Sequence, residues 1–270
     1  MVKKAFSRVR TSKLAKRSPE RVAGCLAVCE QYLDRVRDTL GEAGSRDLSC
    51  SQRREAERVR HFLAHAERQA GQVRRRLLEG EPVPHGEKTF SIFEPHARWV
   101  AKGKAGRPVE IGVPVCVIED QYRFILHHEV MWQGGDVEHA VPVVEAAQER
   151  HPELRMASFD RGFHSPGNQR KLAVRLDECA LPVKGGLSRE AAQRQSEDRF
   201  RSARKRHPGI ESAISHLEHC GLGRVRTHGA DGFARAVALS VLAASVKRLG
   251  RLVRDRERKR LERRQRLRAA

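Results

Sequence analysis

The chain has 270 residues, 39% hydrophobic and 33% charged, which is enough for one large domain or a domain with a helical appendage. Fifty-four Lys and Arg against 34 acids give a formal charge of +20. Such an excess opposes compaction by self-repulsion and points to a polyanionic partner, nucleic acid ahead of an anionic membrane surface. The longest apolar run, 236–246, is too short to span a bilayer, and the basic N-terminus lacks the apolar stretch of a secretory signal. No membrane partner and a cytoplasmic, nucleoid-associated location are therefore expected. The six cysteines are scattered without a CxxC pair and read as reduced thiols.

Residues 1–80 read as helical. Val22, Leu26, Cys29, Leu33, Val36 and Leu40 recur at helical spacing, as do Val59, Phe62, Leu63, Ala66, Val73 and Leu77. The segment 41–51 separates the two runs, which predicts an antiparallel hairpin of charged helices. From residue 88 the pattern turns to strands: "KTFSIF", then "VEIGVPVCVIE" and "RFILHHEVMW", the last two joined by Asp120-Gln121-Tyr122 as a hairpin. A helix is predicted at about 140–150, with Pro142 in its first turn and His151-Pro152 at its end. A strand follows at 154–159. Next comes a helix with Ser165 as N-cap and Pro166 at its first position. "CALPVK" (179–184) is a further strand, broken by Gly185-Gly186.

The remainder reads as helical and very charged. Glu211 opens one helix after Pro208-Gly209, and Gly221 closes it. A second helix is predicted to carry Phe233, Val237, Val241, Leu242 and Val246 on one face. Residues 251–270 extend it as a basic tail, helical or disordered. The order predicts an α/β fold, a mixed sheet flanked by helices and preceded by a helical region. Its parts are expected at 1–84, 85–250 and 251–270.

In such sheets sites gather at the C-terminal ends of strands, where Asp160 falls in "SFDRGFHSP". Asp160 and Glu211, a carboxylate after a strand and another opening a later helix, match the hard oxygen ligands that Mg²⁺ requires. Lys102, Lys104 and Arg107 occupy a glycine-spaced loop able to approach phosphates. Arg161, Arg224 and Arg226 flank the carboxylates as phosphate clamps. Asp120 reads as a turn residue and Asp136 as a turn or cap after Gly134-Gly135. Glu94, before Pro95, is the least implausible extra ligand, and none of the three is taken as one.

"SFDRGFHSPGNQRKL" and "HPGIESAISHLEHCGLGRVRTHGADGFARAVALSVLAASVKRLG" resemble the C-terminal half of bacterial insertion-sequence transposases of the DDE type, in the group called ISNCY. The stretch from "KTFSIFEPHARW" to "ERHPELR" is similar to the same group, so the resemblance covers about residues 85–250. It implies a ribonuclease H-like fold and a Mg²⁺ or Mn²⁺ site of two aspartates and one glutamate. Carried over by position, Asp160 matches the second aspartate and Glu211 the glutamate. The first aspartate belongs on an upstream strand that this sequence lacks, so an N-terminally truncated copy with impaired catalysis is expected. The resemblance further implies double-stranded DNA as partner (element ends and target), no small-molecule substrate, and a homo-oligomer. The alternative from charge alone is a non-catalytic basic DNA-binding protein.

Overall fold

The structure, a computed structural model, describes residues 18–101, 109–207 and 209–269. It is mixed α/β and divides into two compact units between Gly112 and Val113.

The first unit opens with α1 (Pro19–Gly44) and α2 (Cys50–Leu77), which pack as the expected hairpin. Pro19 starts α1 with a preset φ, and Ser49 caps α2 by accepting from Gln52 N while Gln52 Oε1 accepts from Ser49 N at 2.9 Å. Ion pairs Arg37–Glu67 and Arg74–Glu30 lock the antiparallel register on the solvent side. Val22 and Leu26 are buried. "KTFSIF" is not the strand that its pattern predicts. The Gln72 side chain takes both backbone groups of Thr89, donating to its carbonyl at 2.7 Å and accepting from its N–H at 2.8 Å. With those groups satisfied, this stretch needs no ladder partner. Strands β1 (Arg98–Ala101) and β2 (Val109–Gly112) pair antiparallel.

Val113-Pro114 cuts the predicted strand 109–119 in two, because proline supplies no N–H to a ladder and restricts its predecessor. The second unit begins with the hairpin β3 (Val115–Glu119) and β4 (Ile125–Val130), antiparallel with a bulge at Ile118/Glu119. Asp120 Oδ1 accepts from the N–H groups of Tyr122 and Phe124, both at 2.8 Å, so Asp120 does serve its turn. Arg123 takes the left-handed conformation there, φ 71°.

Helix α3 (Asp136–Arg150) starts four residues before its predicted position. Gly135 N donates to Glu138 Oε2 at 2.8 Å, which satisfies an otherwise free donor and lets the helix begin early. Pro142 is thereby an interior residue and not a first-turn one. Strand β5 (Met156–Ser158) runs parallel to β6 (Glu178–Ala180), both shorter than their apolar patterns. Between them, α4 (Pro166–Arg175) has Ser165 Oγ accepting from Asn168 N at 3.1 Å, as the cap signal predicts.

Helices α5 (Arg189–Ser196), α6 (Asp198–Arg206) and α7 (Gly209–Leu217) follow, then a π turn (Glu218–Leu222) whose Gly221 has φ 118°. The last helix, α8 (Gly229–Ala269), has 41 residues and includes the basic tail. Its Val237, Val241 and Ala244 are buried, but Leu242 and Val246 face outward. The expectation that these residues share one face is corrected accordingly. Among the described residues no helix is long and apolar enough to cross a membrane.

The core of the second unit joins Cys116, Met131, Val143, Val144, Phe159, Leu172 and Leu181 into one cluster. Burial pushes the Cys116 thiol up from 9.0 to about 12 and the Cys179 thiol to about 11. The reactive thiolate is scarce well below these values. Timed alkylation at pH 8 is therefore expected to label exposed Cys50 first and to leave Cys116 and Cys179 intact until the chain unfolds. Above pH 9 the unfolded thiols lose their protons before the folded ones, so stability falls as pH rises from 9 toward 12, and Cys116→Ala flattens that slope in alkaline urea melts.

Candidate functional site

The site forms around the C-terminal end of β5. Phe159 N donates to Ala180 O at 3.0 Å, extending the parallel pairing one residue past the strand. The Phe159 ring is buried, and its carbonyl accepts from Arg204 Nη1 at 2.8 Å. With Phe159 directed inward, the next residue turns outward. Asp160 accordingly presents a side chain that is 67% exposed, and the chain then curls through a single 3₁₀ turn, Arg161–Phe163.

One side chain from a distant part of the sequence bonds to Asp160, and a second lies within its electrostatic reach. His207, at the C-terminal end of α6, brings Nε2 to 2.9 Å from Asp160 Oδ1, with only 12% of its side chain exposed. A neutral ring in this contact carries its proton on Nε2 and donates to the carboxylate. The second is Asp136, the first residue of α3. Burial raises its carboxyl above the usual range first, and the neighbouring charge of Asp160 raises it further, against the opposing pull of His139 and Lys184. Two carboxylates close enough for one to oppose ionisation of the other are the central electrostatic fact of the site.

Gly162 makes room for that approach. A Cβ there would fall inside contact distance of Asp136 Oδ2 and 3.3 Å from its carboxyl carbon. Asn168 braces the same region, its side-chain NH₂ donating to Val137 O at 2.7 Å and to Phe163 O at 2.9 Å. One amide thus ties the start of α3, the turn after Asp160 and the start of α4.

No family model, curated protein or solved structure matches the chain. The site therefore rests on its own chemistry.

Glu211, expected opposite Asp160, is exposed in the first turn of α7, on the side away from buried Ala213 and Leu217. Among the described residues no three His, Cys, Asp or Glu side chains converge as a metal-holding group. The pair Asp136 and Asp160 nevertheless fits a hard divalent cation in kind. Both offer carboxylate oxygens, their mutual repulsion would be relieved by a cation, and Mg²⁺ keeps several positions for water or phosphate. Arg161, Arg224 and Arg226 are exposed, the latter two in the loop before α8. Lys102, Lys104 and Arg107 lie outside the described residues.

Asp136 and His207 are the residues that sequence reasoning passed over. Asp136 lacks the signal that singled out Asp160, because it opens a helix six residues past the end of β4. Its two preceding glycines instead suggested a local turn.

The packing of Gly162 on Asp136 is testable by a double-mutant cycle. Gly162→Ala is expected to lower the unfolding free energy by about 1–3 kcal/mol through overpacking. Adding Asp136→Ala recovers most of that loss in urea titrations, because the obstructed carboxylate is gone.

Proposed function

We propose that the chain acts on double-stranded DNA in the manner of a DDE insertion-sequence transposase, by metal-dependent phosphodiester cleavage and strand transfer, with a ribonuclease H-like second unit. The observation that carries this reading is the nearness of the Asp136 carboxylate, at the start of α3, to the turn that follows Asp160 at the end of β5, on a chain of charge +20. The order of elements from β3 to α7, hairpin, helix, strand, helix, strand, helices, supports it as well.

In this reading Asp160 and Asp136 would hold Mg²⁺ or Mn²⁺, and Glu211 would have to move in from α7 to complete the set. A bound divalent ion would supply an activated water and stabilise the leaving oxygen of the cleaved phosphodiester. His207 holds the Asp160 carboxylate in one orientation through the 2.9 Å bond and leaves the second oxygen free. Gly162 lets the Asp136 carboxylate sit against the turn that follows Asp160. Arg161 offers a two-pronged donor to a phosphate beside the carboxylates. With only two carboxylates paired, cleavage is expected to be weak.

The second reading, a basic DNA-binding protein without catalysis, is favoured by the absence of a three-ligand group among the described residues. One experiment separates the two. Supercoiled plasmid carrying element ends is incubated with the chain and Mg²⁺ or Mn²⁺. Slow nicking abolished by Asp160→Ala supports the transposase reading. Tight binding without nicking in either metal, unchanged by Asp160→Ala, supports the second. Under both readings log Kd varies with log salt, each neutralised phosphate contributing about 0.9 to the slope on duplex DNA. A chain that fails to bind DNA at low salt overturns both.

A further inference from the structure

Helix α8 carries a second apolar face that its own unit does not use. Leu239, Leu242, Val246, Leu249 and Val253 are spaced 3, 4, 3 and 4 residues apart, and each is between 48% and 65% exposed. That is the a/d rhythm of a coiled-coil seam sustained over two heptads. The core-facing residues Val237, Val241 and Ala244 lie on a different side of the helix. The positions that flank the seam, Ala243, Ser245, Gly250 and Leu252, are uncharged and mostly small. In a chain of charge +20 this strip holds no ionisable group for about 22 Å of helix, by the rise of 1.5 Å per residue. Lys247, Arg248, Arg251 and Arg254 all sit off it.

We propose that this strip is a dimerisation seam, occupied by the same strip of a second copy of the chain in antiparallel orientation. The inference stands independently of the proposed DNA chemistry. Over its last four members the seam is self-complementary: running it against itself sets Leu242 opposite Val253 of the second copy and Val246 opposite Leu249, twice over, while Leu239 at each end lies against the stem of Arg256. The flanks then meet as Ala243 with Gly250 and Ser245 with Leu252, with no like charges facing and little bulk to keep the helices apart. Charge decides the direction. Residues 251–270 hold ten Lys and Arg against three acids. A parallel pair would lay two such tails side by side within a Debye length, whereas an antiparallel pair sends them to opposite ends.

The size is adequate for a reversible dimer. Each copy would bury roughly 600 Å² on the seam and its flanks, which puts the pair at the low end of specific interfaces, about 1,200 Å² in total. Two heptads are too few for isolated peptides, but α8 is already folded against β4 and the π turn, so association need not bear the cost of forming the helix. A micromolar dissociation constant follows.

Sedimentation equilibrium on the nuclease-treated full chain at physiological salt tests this. The wild-type chain is expected to pass from monomer to dimer across the micromolar range. Leu242→Lys and Val253→Glu, both at exposed positions, each weaken association at least tenfold while circular dichroism and melting stay unchanged. Combined in one chain, the two restore it, because in the antiparallel pair each lysine meets a glutamate of the other copy. A parallel pair would instead set lysine on lysine and glutamate on glutamate, so a double variant that remains monomeric overturns the proposal. So does a dimer indifferent to either single change. Should a variant misfold, the wild-type chain still decides: one that stays monomeric at every concentration overturns the seam.

Discussion

Helix α3 is the element on which the second unit depends. The β3–β4 hairpin and the β5–β6 pair share no ladder bond, so nothing in the backbone hydrogen bonding holds one against the other. What joins them is a buried helix face: Ala140, Val143, Val144 and Ala147 have almost no exposed surface, and the cluster that Val143 and Val144 belong to reaches Cys116 on one strand pair and Phe159 and Leu181 beside the other. The small residues of that face allow close approach, and the valines fill the space between. The first residue of α3 is Asp136. The same packing that unites the two strand pairs therefore sets the distance between the acid beyond β4 and the acid beyond β5. Stability and site geometry have one origin, and the site inherits the rigidity of the core.

The carboxylate pair shows the strain such placement accepts. A half-desolvated acid beside a second acid is unfavourable in an isolated protein, and the opposing influence of His139 and Lys184 offsets only part of it. The surroundings invest further in keeping the arrangement: a glycine where any side chain would collide, and an asparagine amide divided between two backbone carbonyls. Features of this sort, costly locally and braced by neighbours, are where function is to be sought.

Much of this was legible in the sequence, and the losses have identifiable causes. Ser165-Pro166 and Gly221 declare themselves through backbone chemistry of one or two residues, and both sit where that chemistry puts them. "KTFSIF" has the composition of a strand but yields its hydrogen bonds to Gln72, a partner from a preceding helix that no window on the segment contains. The start of α3 was displaced by reading Pro142 as a first-turn residue, whereas Glu138 reaching back to Gly135 sets the true start. Asp160 was recognisable from its strand. Asp136 and His207 were not, since they lie 24 and 47 residues from it in sequence and only folding brings them near. Leu242 and Val246 were grouped with Val237 and Val241 on one face, whereas α8 carries apolar residues on two sides and only one of them packs within its unit.

The continuity of α8 has a mechanical consequence. From Arg254 onward the helix runs about 24 Å by its rise per residue, with residues 254–267 all exposed. It has no Gly or Pro to break it, and Arg258 pairs with Asp255 and Glu262 along its surface. Basic charge is thereby held on a stiff rod whose reach spans about seven base pairs at 3.4 Å each. Under the proposed action on DNA, a loose tail of equal charge would lose its chain entropy on meeting a duplex, whereas a rod would surrender far less and would set the stretch of duplex gripped at once. The helix acts as a ruler built into the end of the chain.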